Sequence, residues 1–309
     1  MQKIIIPILT IVLFSSCSQE VENPIADYCW PVVHCLLNFE DSVHYVRLGK
    51  TFSGTHLDEM INNPDSLYFR EANVFFDLYQ NDYIAETIQL ELTNELERDP
   101  GIFPAKPFPL YKTEHPIKPG KIGLRIEIPE LDRYVATTIN VRGKPYFYYP
   151  EPGRKKILDF YANTPDRIFW DGAGLSETTV RLWYLEITEN GLDTCKLDWT
   201  RKNNDFILWP NDWFEYMLYW IKDDYHVLGR RVISVDILAN GGDYRLSQYN
   251  AQKDLVFDLI GTPFSNVTGA IGFVGSRAYG GIYSYMPDRQ FLDSLSFLPR
   301  LERLKFIYN

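Results

Sequence analysis

The chain has 309 residues, 45% of them hydrophobic and 15% aromatic, which is enough apolar mass to fill large cores and excludes a disordered tail. Its formal net charge of −10 argues against a nucleic-acid partner, because phosphate recognition needs a basic surface, and equally against electrostatic attraction to anionic lipid. The five histidines are scattered singly and the four cysteines show no zinc-site spacing, so neither a metal nor a cofactor is expected.

The first element is a targeting segment. Lys3 supplies a positive charge, Ile4 to Phe14 an apolar run, and Ser15-Ser16-Cys17 a small-residue end, the layout of a secretory signal over residues 1–16. The run falls short of the ~20 residues that a membrane-spanning helix needs, and Pro7 interrupts it. Cysteine directly after the small residues resembles a bacterial lipobox, with cleavage before Cys17 and lipid added to it. Phe14 stands where that pattern usually has Leu, which here sits one place earlier as Leu13. The alternative is a soluble secreted protein in which Cys17 is incidental. Residues 17–27, beginning Cys17-Ser18-Gln19-Glu20, read as an acidic tether without apolar periodicity.

Residues 28–145 are expected to form one β-sandwich, immunoglobulin- or transthyretin-like, because apolar residues recur at alternate positions in short runs. The clearest run is Ile122 to Ile128, with four aliphatics on one face and Gly123, Arg125 and Glu127 on the other. Val32 to Phe39, His44 to Phe52, Ala72 to Tyr79, Tyr83 to Leu92 and Tyr134 to Val141 are the other strands, with a helical turn at Leu57 to Ile61. Cys29 and Cys35 are close enough in sequence for a small-loop disulfide, or Cys35 is a buried small apolar residue on a strand. Six prolines between Arg98 and Pro119 predict an extended loop and argue against a central strand there. Phe103, Phe108, Leu110 and Tyr111 on this loop offer apolar groups to a docking partner, or they fold back over an open edge of the sandwich.

Residues 146–309 read as a second β-rich, sandwich-like domain with one or two short helices. Thr178 to Thr188 and Leu192 to Trp199 read as a hairpin around Glu189-Asn190-Gly191, since Asn-Gly favours the turn that hairpins use. Asn211 to Tyr225 follows Pro210 and repeats Trp213, Met217, Trp220 and Ile221 at helical spacing. Arg231 to Ala239 returns to alternation, placing Ile233, Val235 and Ile237 on one face. Asp288 to Leu304 reads as a helix pair, or a helix and a turn, around Pro299. The string Val267 to Arg277 looks like the glycine fingerprint of dinucleotide-binding enzymes. Too little chain follows it for a parallel sheet, so it reads as a Gly-rich strand packed closely on a neighbour. Asp171 and the Asp223-Asp224 pair are read as turn acids rather than hydrolytic carboxylates. Trp170, Trp183, Trp199, Trp209, Trp213 and Trp220 serve either as core or as stacking platforms.

Several of these segments together resemble a group of uncharacterised Bacteroidetes outer-membrane lipoproteins grouped as a domain of unknown function. They are Ser16-Cys17, Ser42 to Phe52, Glu71-Ala72-Asn73-Val74, Lys118-Pro119-Gly120 before Leu124 to Ile128, and Ser265-Asn266-Val267 leading to Gly269 to Phe273. In Bacteroidetes, acidic residues such as Glu20 and Glu22 after the lipidated cysteine accompany export to the cell surface. The resemblance implies a lipid-anchored protein on the outer membrane, facing the exterior, that acts as a non-enzymatic accessory beside a TonB-dependent transporter. It transfers no catalytic residue. A fimbrillin-like structural subunit and a glycan-active enzyme are the alternatives.

Overall fold

The computed structural model describes residues 29–51, 67–69, 71–96, 108–151, 153, 165–172, 174–252 and 265–307. Cys17, the tether, the turn at Leu57 to Ile61 and Phe103 lie outside them. The protein is mainly β, and among the described residues its strands gather into three sheets.

Alternation decides the first half. In β7 (Gly120–Ile128) the aliphatics Ile122, Leu124, Ile126 and Ile128 are all buried, while Arg125 and Glu127 face outward. Strands β4 (Tyr83–Gln89), β3 (Asn73–Gln80), β7 and β8 (Arg133–Val141) make a four-stranded antiparallel sheet in that order. Its inner face shares one core with Val33, Cys35 and Leu37 of β1 (Pro31–Leu37) and with Val46 and Leu48 of β2 (His44–Lys50). The chain changes sheets at Leu90, which is buried and donates its N–H to Val74 O at 2.9 Å. The run expected as one strand is therefore β4 followed by β5 (Glu91–Thr93).

Two expectations fail here. Cys29 and Cys35 are both free thiols. Cys35 lies within an extended strand and Cys29 just before it, and at ~3.3 Å per residue such a pair stands far beyond the ~7 Å limit for a disulfide. Burial pushes the Cys35 thiol up to about 12, as for an inert apolar side chain. Leu110 and Tyr111 do not form a docking loop but begin β6 (Leu110–Thr113), which lies between β2 and β5, and both are buried. The prolines flank this four-residue strand at Pro109 and Pro116 rather than interrupting it, so its ladder keeps its donors. Phe108 is half-buried, with Arg47 Cζ 5.5 Å from its ring centroid.

The second half is built on three long strands: β11 (Ser176–Thr188), β12 (Gly191–Arg201) and β14 (Val227–Gly242). β11 and β12 pair from Thr178↔Arg201 to Thr188↔Gly191, so the hairpin expected around Glu189-Asn190-Gly191 turns on Glu189-Asn190, with Gly191 already the first residue of β12. In β14 the expected alternation is broken. Trp183 pairs with Ser234 and Tyr184 with Val232, so Ile233 is the extra residue of a bulge and is exposed, while Val232 and Val235 enter the core. Strands β9 (Phe147–Tyr149), β10 (Asp166–Trp170) and β13 (Asp205–Leu208) form the third sheet.

Among the described residues three helices attach to this half. α1 (Pro210–Trp220) buries Trp213 and Met217 as the helical spacing predicts, together with Phe214, but it ends five residues before the expected Tyr225 and leaves Trp220 exposed. α3 (Arg289–Phe297), capped by the Asp288 carboxylate, is followed by a 3-10 turn, Pro299–Leu304. α2 (Tyr244–Gln252) has no counterpart in the sequence reading, because Leu246 is its one buried residue and no apolar stripe marks it. The Arg230 guanidinium, 1% exposed, donates to Glu186 Oε1, Leu304 O and Lys222 O and so pins the C-terminal turn to β14.

β15 (Ile271–Tyr285) joins the halves. Its first part runs parallel to β1, from Val32↔Ile271 to Leu37↔Ser276, and its second part runs antiparallel to β14, from Gly242↔Arg277 onward. The sheet order β12-β11-β14-β15-β1-β2-β6-β5 therefore draws strands from before and after residue 145. The Gly-rich string is a strand because another backbone lies against it. Gly272 has φ +136°, and a Cβ there would stand 1.9 Å from Val33 O.

Candidate functional site

A cleft of about 780 Å3 opens where β11, β14, α2 and the turn between β12 and β13 meet. That size lies within the roughly 300–1,000 Å3 of ordinary ligand pockets. The turn is fixed from below. The buried Trp170 donates its indole N–H to Thr178 Oγ1 at 2.7 Å, which in turn donates to Asn203 O at 2.6 Å. Asn204 Nδ2 donates to Trp170 O at 2.7 Å and Trp170 N to Asn204 O at 3.0 Å, so the turn is clamped to the end of β10.

The opposite wall is α2, placed by its N-cap. Asp243 accepts from Leu246 N at 2.8 Å and from Ser276 N at 3.1 Å, while its own N–H donates to Ser276 O at 3.0 Å. Burial holds this carboxyl above its ordinary range, and the hydrogen bonds it accepts oppose the shift. Ser276, fully buried, also donates to Asn140 O and accepts from Arg142 N, which ties the cap to the end of β8. Gly174 completes the fit: it has φ +75°, and a Cβ there would lie 2.4 Å from the Asp243 carbonyl carbon.

Between these walls the lining is amide and hydroxyl rather than apolar. Asn203, Asn204, Asn240 and Asn250 surround it together with Ser176 and Ser247, while Glu177 and Lys202 balance one another in charge. Glu177 Oε2 accepts from Asn240 Nδ2 at 3.1 Å, and Asn240 Oδ1 has no partner among the described residues. Such a lining can exchange many directional hydrogen bonds with an uncharged polar molecule, and it has little to offer an ion or a hydrocarbon.

An aromatic strip leaves the lip of this cleft. Asp171, next to the cleft residue Gly172, accepts from Tyr146 N and donates its own N–H to Tyr146 O at 2.9 Å. From Tyr146 the outer face of the three-stranded sheet carries Tyr148, 5.2 Å away edge-on, which stacks on Phe169 at 4.9 Å and 25°. Arg167 Cζ lies 4.8 Å from the Phe169 ring centroid, and its guanidinium is closed by two bonds to Asp205 at 2.8 and 2.6 Å. That bond holds the Asp205 carboxyl below its ordinary range. The inner face of the same sheet buries Phe147, Ile168, Trp170 and Leu208, so period-two alternation turns the tyrosines outward.

The residues singled out in the sequence lie elsewhere or serve the fold. Trp170, Trp199 and Trp213 are core, Trp183 is held by Asp236 Oδ2 at 2.7 Å, and Trp209 and Trp220 are exposed. Asp171 bonds backbone. Asp224 accepts from His226 N within a turn, and Asp223 lies 4.0 Å from Lys305 Nζ. The cleft residues gave no motif, since asparagines in turns are ordinary and Tyr146 and Tyr148 sit in a Pro-rich stretch read as a boundary. A second hollow of about 290 Å3 on the outer face of the four-stranded sheet is occupied by its own Arg125–Asp77 and Arg125–Glu127 ion pairs. Among the described residues no cluster of His, Cys, Asp and Glu is placed to hold a metal ion. Compared with protein-family models, with curated proteins and with solved structures, the chain gives no match.

Proposed function

We propose that the chain is an outer-membrane lipoprotein, anchored through lipid on Cys17 and facing the cell exterior. Its folded part is a non-enzymatic binding module working beside a TonB-dependent transporter in nutrient uptake. The observation that carries the binding role is the open cleft between α2 and the β12–β13 turn, lined by amides and hydroxyls. The anchor rests on the sequence Ser15-Ser16-Cys17 behind a short apolar run, and the transporter on the family resemblance. Two measurements test the reading. The Cys17→Ala protein should carry no acyl label and leave the membrane fraction; full membrane retention without label would defeat the anchor. A pull-down of the native protein from detergent-solubilised outer membranes should bring down a transporter. Regular filaments in place of that partner would favour a structural subunit instead.

A further inference from the structure

We infer that the cleft and the tyrosine strip form one continuous site for a neutral oligosaccharide, with one sugar unit in the cleft and the following units laid along Tyr146 and Tyr148. The inference rests on the binding-module reading and names its ligand. Three features converge on this class. The cleft offers amide, hydroxyl and carboxylate groups that together both donate and accept, as vicinal hydroxyls require. The strip offers half-exposed rings, Tyr146 at 57% and Tyr148 at 44%, and aromatic faces pack well against the C–H faces of sugar rings. The path carries little net charge: the cleft holds one acid, Glu177, and one base, Lys202, and Arg167 on the strip is spent on Asp205.

Continuity sets the length of the ligand. The Tyr146 backbone exchanges two hydrogen bonds with Asp171, so the residue that carries the first ring of the strip is held next to the neighbour of the cleft residue Gly172. Tyr148 is held in turn by stacking on Phe169, which leaves the strip ordered before anything binds. A disaccharide would reach from the cleft to Tyr146 and no farther, and longer chains would gain from Tyr148 as well.

The test is calorimetric titration of the full mature protein with malto-, cello-, xylo- and manno-oligosaccharides from disaccharide to hexasaccharide, with oligogalacturonate as a charged control. At least one neutral series should bind with affinity rising with length. Tyr148→Ala should weaken the hexasaccharide roughly 3- to 10-fold, as expected for one aromatic contact, and leave the disaccharide unchanged. Tyr148→Phe should behave as the parent, and Glu177→Ala should weaken every length. Melting temperatures near the parent value establish that the variants are folded. Binding that ignores both length and Tyr148→Ala overturns the continuous site while leaving the cleft as the binding site. Absence of binding by every neutral series, or tighter binding of oligogalacturonate, overturns the oligosaccharide assignment, and the membrane pull-down still decides the accessory role separately.

Discussion

His44 is 3% exposed and its Nε2 has no partner among the described residues, an unusual position for an imidazole at the start of β2. Burial holds its pKa below the ordinary 6.5, with the nearby Asp41 charge opposing. The unfolded chain therefore binds the proton more readily than the folded one. The His44 contribution to stability is complete above pH 6.5 and is lost as the pH falls through the lower folded value. Urea midpoints across this range should drop on acidification in the parent and drop less in His44→Gln; parallel curves would remove His44 as a cause. Gly272 gives a second residue-scale expectation. A methyl group there meets Val33 O at 1.9 Å with the backbone at φ +136°, so Gly272→Ala should cost about 2–4 kcal/mol in denaturant unfolding. Retention of parental stability would mean that β1 and β15 are not held so closely. The sequence made a close approach of backbones at this string legible, but not the strand that approaches, because pairing partners distant in sequence leave no local signature.

At the scale of elements, period-two alternation placed β7, β8 and the β11–β12 hairpin well, since each has one buried face and a clear turn. It failed where one residue shifts the pleat. The bulge turns Ile233 outward and brings Val232 into the core in its place, while Val235 and Ile237 enter it as the alternation predicts, and nothing in Ile233-Ser234-Val235 announces it. Prolines misled in the opposite direction at β6, where four residues between Pro109 and Pro116 suffice for a buried strand. α2 went unseen because its stability comes from the Asp243 cap and from contact with β15 rather than from an apolar stripe. The candidate site was unreadable for the same reason. Its cleft residues come from β11, the β12–β13 turn, β14 and α2, and only the fold brings Glu177 within 3.1 Å of Asn240.

The molecule as a whole has two hydrophobic cores and one sheet that serves both. Val274 of β15 packs in the core with Val33 and Ile126, whereas Ile282 of the same strand packs with Leu182 and Val235. A fragment ending at Pro145 would keep β1 but lose its parallel neighbour, exposing a row of unpaired backbone groups from Val32 to Leu37. Such a fragment should aggregate or remain unfolded, and the intact chain should lose both cores in one denaturant transition. A soluble, cooperatively folded fragment would show that β15 is dispensable to the first core. The place of β1 has one more consequence, a mechanical one. Among the described residues β1 is the first strand of the chain, and it is paired with β15 from Val32 to Leu37 on one flank and with β2 from Pro31 to His34 on the other. A tension entering from that side pulls along the strand axis and loads these bonds in shear, all at once, instead of peeling them one by one. The route by which load enters the fold is thus also among its strongest seams.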